Sequence, residues 1–459
     1  MVHQYKLNGY NIVLDTASGS VHTVDEVAYD IIEMYKTHTR EQIVEKILKK
    51  YADLPDVNEN EIIECLEDIE ALENAGKLFS VDEYEGLACN YKNNSKVIKA
   101  LCLHIAHDCN LRCRYCFAHG GEYMGKREIM SAEVGKKAID FVIRESGARR
   151  NIEIDYFGGE PLMNFEVVKE ITEYAKKEGE KHNKNFRFTI TTNGLLLDDK
   201  KIDYINENMG NIVLSIDGRK EVHDKVRVRI DGSGCYDSIV NKFIKVAESR
   251  NQENYYVRGT FTRDNLDFSE DVMHLASLGF EQISVEPVVA QETEDYALRK
   301  EDLPRIFEEY DRLAEKILEA RKEGKWFNFF HYMIDLHESP CAYKMLSGCG
   351  AGHEYAAVTP SGDIYPCHQF VNDPKYKMGD VFEGVVDMGI RDMFVKSNIY
   401  TKEPCGNCWA RFYCSGGCAA NAISMNKDIN KPYLLACEME KKRVECAIAI
   451  KAREALDED

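Results

Sequence analysis

The sequence predicts an α/β protein. Its middle is a run of βα units, a partial (β/α)6 barrel or an open parallel sheet, between a small winged-helix unit and a cysteine-rich tail. Three observations carry this. Between residues 98 and 290 six short apolar segments recur, most of them followed by a helical stretch. Before them, amphipathic helices follow a pair of short strands. After residue 340 cysteines crowd: nine of the sixteen lie between Cys341 and Cys446.

Residues 1–85 read as the winged helix. "YNIVLDTASGSVHTV" places two short strands around an Ala-Ser-Gly-Ser turn. "VDEVAYDIIEMY" carries Val27, Ile31 and Ile32 at helical spacing. "REQIVEKILKKY" and "NENEIIECLEDIEALENAG" are two further amphipathic helices, the second closed by Gly76. "KLFSV" then reads as a wing strand. "EYEGLACNYKNNSK" is polar, and residues 86–97 are expected to be a linker. The six strands are "VIKALCLHIA", "NIEIDYFGG", "FRFTITTNG", "NIVLSIDG", "YYVRGTFT" and "QISVEPVV", within a domain over residues 98–305. Residues 306–340 bridge to a domain over 341–459. In parallel α/β folds ligands gather at the carboxyl ends of the strands. Cys109, Gly158, Asn193, Asp217 and Glu286 all fall at or just beyond such ends.

At 459 residues the chain exceeds one ordinary core. No apolar run approaches the ~18–20 residues that span a bilayer. The start, "MVHQYKLNGY", lacks a basic-then-apolar signal pattern. Both point to the cytoplasm and away from a membrane partner. In that compartment cysteines stay reduced or bind metal. The net charge of −20 excludes nucleic acid as the main partner, because a polyanion is repelled, and leaves room for a peptide.

"CNLRCRYCF" sets Cys109, Cys113 and Cys116 in Cys-x3-Cys-x2-Cys spacing after the first strand of the βα tract. Three thiolates hold three irons of a cubane cluster and leave the fourth open to a small ligand. Zinc is the alternative, with His107 or His119 as a fourth ligand. A thioredoxin-like redox pair fits less well, because the Cys-x2-Cys does not open a helix on such a βαβ unit.

With Tyr115 before its last cysteine, this stretch resembles the radical S-adenosylmethionine (SAM) signature. The second strand ends in Gly158-Gly159-Glu160-Pro161, which resembles that family's motif for the SAM amino group. Glycines admit a ligand to the backbone, and Glu160 is a hydrogen-bond acceptor for an ammonium. The resemblance extends to Thr192 and Asn193 in "TTNG". Ser215 in "LSIDG" matches a ribose contact, and Arg227 a contact to the SAM carboxylate. Glu286 matches a neighbour of ribose or adenine, and Tyr115 lies where backbone contacts to adenine are made. For each, a cap or turn role is the alternative.

The later cysteines run Cys349-x12-Gly362-x4-Cys367, then Cys405-x2-Cys408-x5-Cys414-x3-Cys418, then Cys437. This resembles the seven-cysteine pattern of the SPASM domain, whose members bind two auxiliary 4Fe–4S clusters. The alternative is a zinc ribbon. The resemblance implies a distal set, Cys405, Cys408, Cys414 and Cys437, and a proximal set, Cys349, Cys367 and Cys418. The fourth proximal place falls to Cys341 or to a substrate thiolate, with the open site preferred.

The three parts together resemble radical SAM/SPASM peptide maturases of the six-cysteine peptide (SCIFF) type. That resemblance implies an oxidoreductase joining a cysteine sulfur to a carbon within a cysteine-rich precursor peptide, by way of a 5′-deoxyadenosyl radical. It implies SAM, three 4Fe–4S clusters, a leader peptide bound by the first domain, and an external electron donor such as flavodoxin or ferredoxin. Two other readings stand beside it. A sulfatase-type maturase oxidising cysteine or serine to formylglycine would have no evident use for the first 85 residues. A non-catalytic iron–sulfur electron carrier would leave "GGEP" and "TTNG" unexplained.

Overall fold

Alternation of apolar and polar residues sets the sheet. The computed structural model describes residues 1–90, 97–336 and 342–458. In it, strands β1 (Val2–Leu7), β2 (Tyr10–Asp15) and β3 (Val21–Val24) form an antiparallel sheet in that order. Helices Glu26–Met34, Arg40–Lys50 and Glu59–Asn74 pack on it, each opened by a side-chain cap, from Asp25, Thr39 and Asn58. Their apolar stripes bury Ile31, Ile32, Ile43, Ile47, Ile62, Leu66 and Ile69 around Val13.

Two expectations need correcting. "KLFSV" is not a strand. Leu78 is an anchor in the small core, and Ser80 is held by the Asp15 carboxylate, which accepts from its N–H at 3.0 Å, so this piece runs as a turn. The third strand is instead β1, whose partner in the sheet is β2. The polar stretch read as linker opens with a helix, Tyr84–Asn90, because Tyr84 packs on Phe412 and Ala88 is buried beside Met345 and Leu346.

The remaining strands are β4 (Ala100–Ala106), β5 (Leu111–Cys113), β6 (Asn151–Gly158), β7 (Asn185–Thr192), β8 (Asn211–Ser215), β9 (Arg227–Arg229), β10 (Tyr255–Phe261), β11 (Gln282–Pro287), β12 (Asn328–Phe329), β13 (Tyr355–Val358), β14 (Asp363–Tyr365), β15 (Gly379–Asp380) and β16 (Gly384–Val385). The six expected strands are β4, β6, β7, β8, β10 and β11. They lie side by side in chain order, all parallel. Ile152, Ile154, Tyr156, Phe188, Ile190, Ile212, Leu214 and Val257 are fully or almost fully buried in the main core. The alternate residues Asp155, Thr189, Thr191, Ser215, Arg258, Thr260 and Glu286 stay part-exposed or exposed, so the other face of the sheet is polar. Register places Arg258 between Ser215 and Ser284, and Thr260 beside Glu286.

Two additions extend this sheet. β12 pairs parallel with β11, and β13 pairs parallel with β4 before β14, β15 and β16 continue antiparallel. The cysteine-rich region is thus stitched into the same sheet. Helix Leu434–Glu458 then packs along helix Leu303–Lys322 and reaches back to β1. There the Tyr5 hydroxyl donates to the Glu445 carbonyl at 2.9 Å, and His3 stacks on Trp409 with centroids 3.7 Å apart. Among the described residues no helix is long and apolar enough to cross a membrane.

Candidate functional site

The cysteine loop leaves β4 and is pinned from several sides. β5 pairs with β9, setting Cys113 opposite Arg227. The Arg112 guanidinium donates to the carbonyls of Cys109 and Leu111, both at 2.7 Å. The Leu111 N–H points at the Cys109 sulfur, 3.4 Å away. The Asn193 amide donates to Asn110 at 2.8 Å and lies 3.7 Å from the same sulfur. Burial pushes the Cys109 and Cys113 thiols up to about 12. A metal's positive charge is what ionises such sulfurs.

The end of β6 lies against this loop. Gly158 has φ +120°, and a Cβ there would sit 2.4 Å from the Ala106 carbonyl oxygen. A Cβ on Gly159 would lie 2.0 Å from the Asp108 oxygen. These two glycines are therefore demanded by the chain's own close approach. Gly121 meets them from the far side of the loop, and the Tyr123 hydroxyl donates to the Gly158 carbonyl at 3.1 Å.

Glu160 is fully buried and braces strand ends. It accepts from the Thr192 hydroxyl at 2.8 Å, the Asn193 N–H at 2.8 Å and the Leu162 N–H at 3.0 Å. Burial raises its carboxyl to about 7, against those donors. Gly158, Gly159, Glu160, Thr192 and Asn193 thus form one unit.

Asp217, just past β8, forms a second. Its carboxylate accepts from the Tyr115 hydroxyl at 2.7 and 2.8 Å, the Arg227 Nε at 2.9 Å and the Thr260 N–H at 2.9 Å. Arg227 also lies over the Tyr115 ring. The Tyr115 side chain is committed to this wall, and Ser215 is the last residue of the adjoining strand. His223, Asp224 and Cys235 brace the turn behind Arg227. The Cys235 thiol points at the Arg227 carbonyl, 3.3 Å away, while the Asp224 carboxylate accepts from the N–H groups of Cys235 and Tyr236.

Glu286 opens on a cavity of about 320 Å³ that it shares with His331, Arg443, Asn421, Cys418 and Cys437. Burial raises its carboxyl, but Arg258, 3.0 Å away, with Arg443, more than offsets this and holds it low. The His331 Nδ1 accepts from Arg443 at 2.9 Å, and Ser284 lies 3.2 Å from its Nε2.

Beyond the cavity, Cys405, Cys408, Cys414 and Cys437 line a single pocket with Arg411 and Lys441. Cys349 and Cys418 are near enough to Cys367 to push its buried thiol further up. A tetrahedral zinc site would bring sulfurs to about 3.8 Å from one another, from Zn–S bonds of about 2.3 Å. Among the described residues, the sole group of three or more ligand atoms lying within 4.8 Å of one another is His223, Asp224 and Cys235. Among the described residues, none of the three cysteine sets brings three sulfurs within 4.8 Å of one another, as a tetrahedral zinc site would. Cys341, the other candidate for the proximal set, lies outside the described residues.

Sequence reasoning passed over Gly121, Tyr123 and Asn110 at this site. Asp217 it noted only as a strand end.

Comparison with known proteins matches three stretches: the radical SAM superfamily over residues 103–272, coenzyme PQQ synthesis protein D (PqqD) over 11–73, and the SPASM iron–sulfur cluster-binding domain over 349–409. The chain is 25% identical over 344 residues to a cysteine-type anaerobic sulfatase-maturating enzyme of Clostridium novyi, covering 71% of this chain and 89% of that one. It is 22% identical over 431 residues to the radical SAM cyclopropyl synthase TigE of Paramaledivibacter caminithermalis, covering 87% and 84%. The solved structure of anSMEcpe with bound AdoMet superposes with a TM-score of 0.66 at 20% identity, covering 78% of this chain and 100% of that one.

Proposed function

From a chain that carries a radical SAM domain, a PqqD-like domain and a SPASM domain, we propose an enzyme that joins a cysteine sulfur to a carbon within a cysteine-rich precursor peptide. The observation that carries this is the shared cavity, which brings Glu286 from the barrel strands and Cys418 and Cys437 from the cysteine-rich domain to one space. When bound, the clusters and SAM supply a 5′-deoxyadenosyl radical for hydrogen abstraction and an acceptor for the surplus electron.

The chain's own residues hold and shield. The loop of Cys109, Cys113 and Cys116 takes a 4Fe–4S cluster. The β6 turn at Gly158 and Gly159, braced by Glu160, Thr192 and Asn193, lines the amino end of SAM, Arg227 its carboxylate, and Ser215 its ribose. Glu286, held ionised, offers a proton acceptor in the cavity. The distal set Cys405, Cys408, Cys414 and Cys437 and the proximal set Cys349, Cys367 and Cys418 take the two auxiliary clusters. A substrate cysteine fills the fourth proximal place, and a small electron-transfer protein of the flavodoxin or ferredoxin kind supplies electrons. The edge of β3 that pairs with no other described strand receives the leader as an added strand.

Similarity to sulfatase-maturating enzymes supports a second reading, oxidation of cysteine to formylglycine. That reading leaves the PqqD-like domain without work. One experiment separates them. The reconstituted enzyme is incubated anaerobically with SAM and a six-cysteine precursor. A thioether product loses two hydrogens and a thiol available to alkylation. Formylglycine instead gives an aldehyde that reacts with a hydrazine, and that outcome overturns the proposal. Cys341→Ala decides the fourth ligand: with an open site the variant keeps its iron content and most of its product.

A further inference from the structure

The two auxiliary cysteine sets meet across one short loop. Cys414 of the distal set and Cys418 of the proximal set are separated by Ser415, Gly416 and Gly417, with φ of +57°, +82° and +69°. Of the three, only Ser415 pays for the left-handed region, since glycine adopts it freely, so the loop's path is set by what it bonds to. Lys402 fastens its middle: the Nζ donates to the Gly416 carbonyl at 2.8 Å, and a Cβ on Gly416 would lie 3.2 Å from the Lys402 Cδ. From the other end, the Cys405 N–H donates to the Lys402 carbonyl at 2.8 Å.

This lysine is only 6% exposed. Among the described residues it forms no ion pair with a carboxylate. Burial pulls its ammonium below the usual range, and the groups that work against this are Cys405 and Cys414 of one set and Cys418 and Cys349 of the other. A buried ammonium without a counter-charge is costly, by several kcal/mol in a typical interior. A cubane cluster held by thiolates carries net negative charge, and that charge with its hydrogen bonds and exposure sets the reduction potential.

We propose that Lys402 is a counter-charge shared by both auxiliary clusters, placed between their ligand sets, and that it raises the reduction potential of each. The inference rests on the assignment of two clusters to these seven cysteines. A cation adjoining both sets favours the more negative, reduced state of either one. The acceptor of the surplus electron is thereby made more oxidising without a change of ligand.

The test is a reductive titration of the full-length reconstituted enzyme, followed by electron paramagnetic resonance, with iron counted beforehand. The wild-type enzyme must first show two clusters beyond the one on Cys109, Cys113 and Cys116. Their absence overturns the cluster assignment and this inference with it. Given both, Lys402→Met is expected to keep the wild-type iron content and to lower the potentials of both auxiliary clusters. The cluster on the first cysteine loop serves as internal reference and should not move. Lys402→Arg, which keeps the charge, should restore values close to wild type. Unchanged potentials in Lys402→Met, or an equal fall in Met and Arg variants, would overturn the electrostatic role while leaving the proposed reaction standing. Loss of auxiliary iron in both Met and Gln variants would also overturn it, by making Lys402 a brace for the loop alone.

Discussion

Asp217 gathers a tyrosine, an arginine and a backbone N–H from three separate stretches of chain, and the wall proposed to hold SAM takes its shape from it. Asp217→Asn keeps the volume but leaves Arg227 without its counter-charge, a loss on the order of 1.5–3 kcal/mol for a charged hydrogen bond. SAM binding, followed by equilibrium titration, should weaken by about tenfold or more, while iron content stays at the wild-type level. Gly159→Ala tests the other wall. Its new methyl would collide with the Asp108 carbonyl, so the β6 turn must withdraw from the cysteine loop, at a cost of about 1–3 kcal/mol of overpacking. The variant should melt lower and lose SAM affinity together, as read by thermal unfolding and the same titration. At this scale the cysteines were legible as spaced sets in short stretches, and their ligand roles belong to the proposal above. Asp217 was legible only as a strand end, because its partners Tyr115 and Thr260 are 102 and 43 positions away in sequence. The role of Gly158 and Gly159 was half legible. Their need for space was plain in the motif, but that the Ala106 and Asp108 carbonyls occupy that space was not.

Strands of the central sheet were legible because one apolar face alternates with one polar face for six segments in succession. β1 and the pairing of β13 with β4 were not, since an edge partner is chosen by the rest of the sheet and leaves no local mark. The turn at Lys77–Ser80 misled for the same reason: one buried leucine and a serine tied to Asp15 look like a strand until their partners are known. The edge of β3 bears the leader-binding proposal. Successive N–H groups on a strand alternate in direction, so of His22→Pro and Thr23→Pro one removes an N–H that faces away from β2. That variant should bind the precursor about tenfold more weakly with an unchanged melting temperature, measured by fluorescence anisotropy and calorimetry. Equal binding by both variants and wild type would place the leader elsewhere.

Across the whole molecule, buried imidazoles set the response to acid. Burial holds His107, His223 and His368 down to about 4, and burial together with Arg443 holds His331 to about 3. The unfolded chain takes up these protons near 6.5, and the folded chain does not until far lower. Between those values the unfolded state binds more protons, so stability falls as pH drops from about 6.5 towards 4, on the order of 3 kcal/mol per ring. The melting temperature should fall steeply over that window, and His331→Gln should flatten part of the slope. The pairing of β4 with β13 has a different consequence, for the order in which the chain is made. β4 leaves the ribosome complete at residue 106, but its second neighbour begins only at residue 355. At ordinary elongation speeds that is roughly 12–50 s during which β4 waits with an unpaired edge. A nascent chain stalled in that interval carries an apolar strand open to any other strand it meets. That exposure is thus a matter of timing during synthesis, and it ends when the cysteine-rich region arrives to close the edge.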